Sequence, residues 1–142
     1  MSEITEITIP DGVTEIGEYA FSGLSGLTEI IIPDSVTKIG NNAFAECSSL
    51  ENITLSKNIT KINNAVFAGC YSLKKIDIPD GVTSIGDYAF NDCGKCVVTL
   101  PDSVTEIGEV NAFYSDDQQI IYKGETHAGF DGYNLLRIIL SK

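Results

Sequence analysis

Short runs of alternating apolar and polar residues recur along the chain at a fixed interval. In Leu27-Thr28-Glu29-Ile30-Ile31-Ile32 the alternation predicts a strand with Ile30 and Ile32 facing inward and Glu29 and Ile31 facing outward. The segments that follow are copies of one another: Ile9-Pro10-Asp11-Gly12-Val13-Thr14-Glu15-Ile16-Gly17, Ile32-Pro33-Asp34-Ser35-Val36-Thr37-Lys38-Ile39-Gly40 and Ile78-Pro79-Asp80-Gly81-Val82-Thr83-Ser84-Ile85-Gly86. Pro10 and Pro33 are 23 positions apart, and Pro33 and Pro79 are 46 apart, twice the period. The intervening copy, Leu55-Ser56-Lys57-Asn58-Ile59-Thr60-Lys61-Ile62, keeps the apolar positions and carries Ser56 in place of proline. A fifth copy begins at Leu100, with Pro101 standing 22 positions after Pro79, so one residue is lost on the way, around Cys93-Gly94-Lys95-Cys96.

Phenylalanine gives a second landmark. Phe21, Phe44, Phe67 and Phe90 each follow the Pro or Ser landmark by 11 positions, and Phe113 follows Pro101 by 12. A period of this length makes each unit one coil of a solenoid, because a single unit cannot bury its apolar side alone and must stack on its neighbours. Stacking converts each outward position into a column. The first column is Glu6, Glu29, Asn52, Lys75 and Val97, and the second is Thr8, Ile31, Thr54, Asp77 and Thr99. These ten residues are the candidate partner-binding ribbon. The segment from Val13 to Gly17 and its copies predict a short second strand or tight turn. Tyr19-Ala20-Phe21 and its equivalents predict a partial helical turn that drops a phenylalanine into a stacked core spine.

Aligned, the copies give the unit L-x-x-I-x-I-P-D-x-V-T-x-I-G-x-x-A-F-x-x-C-x-x. Read as Leu50-Glu51-Asn52-Ile53-Thr54-Leu55 and Ile85-Gly86-Asp87-Tyr88-Ala89-Phe90-Asn91-Asp92-Cys93, it resembles the BspA-like (treponemal-type) leucine-rich repeat of bacterial surface proteins over residues 4–113. The resemblance implies a β-rich α/β right-handed leucine-rich-repeat solenoid of about five 23-residue coils, with a parallel sheet on one side and short turns or 3₁₀ pieces on the other. It also implies an extracellular or cell-surface setting and an adhesion role toward a protein ligand such as a host matrix or surface protein.

The chain reads as one domain, 1–142, with repeats over 4–113 and a closing segment over 114–142. Within the latter, Ile120 to His127 predicts a hairpin around Lys123-Gly124, and Tyr133 to Leu140 has helix-compatible spacing that suits a cap over the last coil. A Tyr-Lys-Gly-x-Thr piece followed by a leucine-rich helix also resembles the tail that follows such repeats in the same family. No comparable cap precedes Ile4. Two readings stay open there: a cut from a longer array, or an end covered by another molecule such as a second copy.

Composition narrows the function. The net charge of −11 repels nucleic-acid phosphates and anionic lipid surfaces, so neither is an expected partner. No apolar run reaches the ~18 residues of a membrane span, and Met1-Ser2-Glu3 leads into repeat sequence with no signal-peptide character. Cys93 and Cys96 have the C-x-x-C spacing of thiol oxidoreductases. The period accounts for them otherwise: Cys47, Cys70 and Cys93 recur every 23 residues in the column begun by Leu24, and Cys96 takes the slot of Leu27, Leu50 and Leu73. Buried small hydrophobes are the expectation, with a thiol-disulfide protein as a remote third reading. His127 has no nucleophile or acid paired with it in the pattern. Asp11, Asp34, Asp80 and Asp102 read as corner formers in preference to a calcium ladder. Two glycosylation-type triplets, at Asn52 and Asn58, are expected by chance in so Asn- and Thr-rich a repeat. No enzyme, metal or cofactor is expected. The two functional readings are a protein-binding module and a spacer within a longer array.

Overall fold

The computed structural model describes residues 4–115 and 117–128. The closing helix expected between Tyr133 and Leu140 lies outside the described residues. Each of the four middle coils contributes one strand to each of two parallel ladders. The ribbon ladder is built from β2 (Glu29–Ile31), β4 (Asn52–Thr54), β6 (Lys75–Asp77), β8 (Val97–Leu100) and β10 (Gln119–Tyr122), with Glu6 bridged to Glu29 ahead of them. The second ladder is β1 (Glu15–Ile16), β3 (Lys38–Ile39), β5 (Lys61–Ile62), β7 (Ser84–Ile85) and β9 (Glu106–Ile107). Val13 to Gly17 and its copies therefore form the short second strand. The hairpin closes as expected: β10 pairs antiparallel with β11 (Glu125–Ala128), and the two turn residues, Lys123 at φ 52° and Gly124 at φ 80°, have the left-handed conformations of a type I′ turn.

Between ladders the chain turns at two kinds of corner. At the Pro-Asp corner the amide of Val36 donates to the Pro33 carbonyl at 3.0 Å, and Val13, Val82 and Val104 repeat the bond. On the phenylalanine side the expected helical turn gives way to alternating backbone, and the described residues contain no helix. Tyr19, Asn42, Ala65, Tyr88 and Asn111 occupy one column with φ between 48° and 62°. A left-handed residue at that column aims every second amide along the solenoid axis instead of back along a helix. The amides of Tyr19, Phe21 and Gly23 accordingly donate to the carbonyls of Asn41, Ala43 and Ala45 in the next coil, at 3.1, 2.8 and 2.8 Å. The amides between them turn back within the coil, as Ala20 donates to Gly17 and Ser22 to Tyr19, at 3.2 and 3.1 Å.

The core is the column interior. Phe21, Phe44, Phe67, Phe90 and Phe113 stack with centroids 5.3 to 5.8 Å apart. The thiols of Cys47, Cys70 and Cys93 fill the space beside this spine and donate to the carbonyls of Phe21, Phe44 and Phe67 at 3.1, 3.2 and 2.9 Å. Gln118 continues the ladder, its Nε2 donating to the Phe90 carbonyl at 3.3 Å.

The irregular positions have local causes. Lys75 pairs with Val97, 22 positions on, while Cys70 and Cys93 keep the full period, so the missing residue falls immediately after Cys96, where the preceding coil has Lys74. Ser56, in the proline slot, is buried; its hydroxyl donates to Val36 O at 2.5 Å and accepts from the Asn58 amide at 3.1 Å. Gly40, Gly86 and Gly108 stand where a Cβ would collide with the preceding coil: at Gly40 it would lie 2.6 Å from the Glu18 amide nitrogen. The third coil has Asn63 at this position, and there the second ladder divides into β1–β3 and β5–β7–β9. The ribbon ladder divides too, between β4 and β6, although the Lys74 amide still reaches the Glu51 carbonyl at 3.1 Å.

Candidate functional site

Parallel register brings the outward residues of the ribbon into two files. The first runs Glu6, Glu29, Asn52, then Lys75 and Val97, through the pairs Glu6↔Glu29, Glu29↔Asn52 and Lys75↔Val97. In the second, Ile31 pairs with Thr54 and Asp77 with Thr99. Thr8, two residues beyond the first bridge, lines the same shallow groove as Ile31. Glu6, Thr8, Glu29, Ile31, Asn52, Thr54, Lys75 and Asp77 are exposed, and Val97 and Thr99 are half-buried.

Both files extend further than the repeat count indicates. Gln119 pairs with Val97 and Ile121 with Thr99, so the first strand of the hairpin is a sixth rung of the same ribbon. The alternation of Gln119-Ile120-Ile121-Tyr122, standing 22 positions after Val97, carries that signal, but no Pro-Asp corner follows it to mark a repeat.

The ribbon's chemistry changes along its length. Glu6 and Glu29 sit directly opposite each other, a like-charge pairing that disfavours the sheet, and Asp11 lines the groove they share with Ile31, which is 69% exposed. Farther along, a second groove between Asn52 and Pro79 is edged by Lys57, Lys75 and Asp77. Beside it, Lys74 and Glu51 form an exposed ion pair at 3.5 Å, which in water contributes little to stability.

The residues with chemical potential elsewhere are held in structural roles. All four cysteines are unpaired and buried. Loss of solvation pushes the Cys47 thiol up to about 11 and Cys96 to about 12, and raises Cys70 and Cys93 well above their ordinary 9.0. A low-pKa nucleophile is the opposite environment. His127 is half-buried in the hairpin opposite Ile120. Asp34 is more than a local corner former, because its Oδ1 accepts from the Lys57 amide of the next coil at 3.0 Å. Among the described residues no three His, Cys, Asp or Glu side chains are grouped as a metal site, and no helix is long and apolar enough to cross a membrane.

Two parallel ladders, a phenylalanine spine and an outward ribbon define a leucine-rich-repeat solenoid. The chain belongs to the family of the BspA type leucine rich repeat region, whose sequence model matches residues 1–119 in six copies, one more than the five Pro- or Ser-marked copies. It is similar in structure to a leucine rich cell surface protein from Faecalibacterium prausnitzii, at 42% identity and a TM-score of 0.81 over 87% of this chain and 33% of that one. A leucine-rich repeat protein from Bacteroides ovatus is 37% identical, with a TM-score of 0.71 over 78% of this chain and 29% of that one. The leucine rich repeat protein of T. pallidum is 32% identical, with a TM-score of 0.70 over 80% of this chain and 55% of that one. The chain thus spans about a third of the first two relatives' length. No curated protein matches it.

Proposed function

We propose that the chain is a protein-binding module of adhesion type, displayed at a cell surface or secreted, and that the ribbon is its contact surface. One observation carries this reading. Five strands and the Glu6 bridge give six rungs carrying two files of outward side chains, with acidic, apolar and basic positions side by side. A regular, rigid surface loses little conformational entropy on binding, and the exposed Ile31 between Glu6, Glu29 and Asp11 combines an apolar anchor with a charged rim. The naming of the Faecalibacterium relative as a cell surface protein supports the location.

Size sets the strength. Six rungs at about 4.8 Å spacing give a ribbon about 24 Å long, and at about 12 Å wide it offers roughly 300 Å². A standard interface uses about 800 Å² per partner, so the ribbon alone binds weakly, and groove margins such as Lys57 and Pro79 enlarge the contact.

The test is a pull-down from host matrix and surface proteins with the chain and with a variant carrying alanine at Glu29, Ile31, Lys75 and Asp77. Any partner retained by the chain is expected to be lost from the variant, with the thermal melt unchanged. Equal retention of every partner by both proteins sinks the ribbon reading and leaves the chain as a spacer of a repeat array.

A further inference from the structure

The ribbon is not closed along its whole length. Where it is closed, the amide that follows a strand donates to the next coil: Ile32 to the Thr54 carbonyl at 2.8 Å and Ile78 to the Thr99 carbonyl at 2.9 Å. Leu55 holds the same position in the third coil, with Asp77 as its counterpart, but β4 and β6 are not paired. Neither the Leu55 amide nor the Asp77 carbonyl is hydrogen-bonded within the described residues. The strands part over Ile53, which is half-buried where Ile30, Ile76, Val98 and Ile120 are buried. This opening is the groove between Asn52 and Pro79, of about 360 Å³. Paired rungs stand on both sides of it, β2 with β4 and β6 with β8, so it depends on neither end of the chain.

The charge of this stretch opposes that of the whole. Residues 57–75 carry four lysines and no acidic side chain, in a chain of net charge −11. Lys61 lies on the second ladder, and Lys74 is paired with Glu51 at 3.5 Å. Lys57 and Lys75 edge the groove, both exposed and neither in an ion pair among the described residues. The nearest corner carboxylate, Asp34, is engaged by the Lys57 backbone amide at 3.0 Å. Asp77, two residues after Lys75 on the same face of β6, lines the groove as well and leaves it a positive balance.

We propose, resting on the ribbon as the contact surface, that this groove is its specificity pocket and takes the carboxylate of an aspartate or glutamate on an extended segment of the protein partner. The carboxylate accepts from the Lys57 and Lys75 ammonium groups and from the Leu55 amide, charge-assisted bonds of the stronger kind. An N–H of the bound segment donates to the Asp77 carbonyl, so both open backbone groups of the rung are used. Size agrees. The groove is at the low end of the about 300 to 1,000 Å³ of ligand pockets, room for one side chain with its flanking backbone. A sulfated or phosphorylated polymer fits worse, because two lysines stand against the long-range repulsion of the net charge −11. A single carboxylate on a neutral or basic partner surface avoids that repulsion.

The probe is a capped pentapeptide, acetyl-Thr-Val-Glu-Val-Thr-amide, compared with the same peptide carrying glutamine at its centre. Each is titrated into the full ¹⁵N-labelled chain and followed by amide chemical shifts. The glutamate peptide is expected to move the Leu55, Lys57 and Lys75 amides and to saturate at about 1 to 10 mM. The glutamine peptide, and the glutamate peptide on a Lys57→Gln/Lys75→Gln chain, are expected to bind at least about ten-fold more weakly, at an unchanged melting temperature. Equal binding of the two peptides overturns the proposal, as do shifts that saturate away from the groove or undiminished binding to the double variant. Tighter binding of a sulfated disaccharide than of the glutamate peptide overturns it in favour of a polyanion. The ribbon reading fails separately. A pull-down partner lost from the four-alanine variant but kept by Lys57→Gln/Lys75→Gln removes the pocket and leaves the ribbon. Peptide binding as expected, with every partner indifferent to the four-alanine variant, keeps the pocket and removes the ribbon.

Discussion

The side-chain nitrogen of Asn63 donates to the Ile39 carbonyl at 2.6 Å, occupying the acceptor that the Gly40, Gly86 and Gly108 amides take from their preceding coils. A Cβ at this column collides with the coil before it, so the third coil stands off and its side chain bridges the gap that the backbone no longer closes.

Removing the bridge should cost stability. Asn63→Ala strips a partner from a partly buried carbonyl and is expected to destabilise by about 1 to 2 kcal/mol. Asn63→Gly should lose less, because the backbone amide can move in to replace the carboxamide. Urea midpoints of the two variants, compared at equal slope, decide the matter; equal losses would remove the bridging role.

Gly40→Ala and Gly17→Ala make a matched pair at one column. At Gly40 the new methyl meets rigid backbone of the first coil, and overpacking of that kind costs about 1 to 3 kcal/mol. At Gly17 it meets nothing, and reduced freedom of the unfolded chain is expected to stabilise by up to about 1 kcal/mol. Thermal melts of opposite sign are the expected result.

The phenylalanine spine should be energetically graded. Phe67 is fully buried between Phe44 and Phe90, and truncation to alanine is expected to cost about 3 to 5 kcal/mol. Phe21 is stacked on one side only and half-buried, so Phe21→Ala should cost roughly half as much. Denaturant titration of both variants measures the ratio.

The buried thiols give stability a pH dependence at the alkaline end. Their folded pKa values lie above the ordinary 9.0, about 11 for Cys47 and about 12 for Cys96, so the unfolded chain releases these protons first. The contribution is intact below pH 9 and is lost as pH rises toward 11 and 12. Each thiol adds a slope of up to about 1 kcal/mol per pH unit in that window. Unfolding free energies between pH 8 and 10.5 should fall, with a shallower fall for Cys47→Ala. At neutral pH, a thiol reagent should label the cysteines only after denaturation.

How much of this was legible in the sequence differs from residue to residue. The 23-residue spacing of Pro10, Pro33 and Phe21, Phe44 carried the solenoid, the spine and both outward files, because a repeat imposes one geometry on every copy. The place of Cys47, Cys70 and Cys93 in one column likewise marked the cysteines as core filling. The sixth rung at Gln119 was legible only as an alternation 22 positions after Val97, since its strand continues the stack without the corner that labels a repeat. The left-handed backbone at Tyr19, Ala65 and Tyr88 was not legible, these being residues with no intrinsic preference for it.

By itself, then, the chain's periodicity determined that its coils stack, which side chains fill the column and which face outward. Tertiary structure alone decided how neighbouring coils meet: the close approach at Gly40, the stand-off bridged by Asn63 and the register that puts the lost residue immediately after Cys96. Periodicity is a property of one coil repeated, whereas these features arise between coils, where a single Cβ or a reversed amide determines whether two backbones can touch.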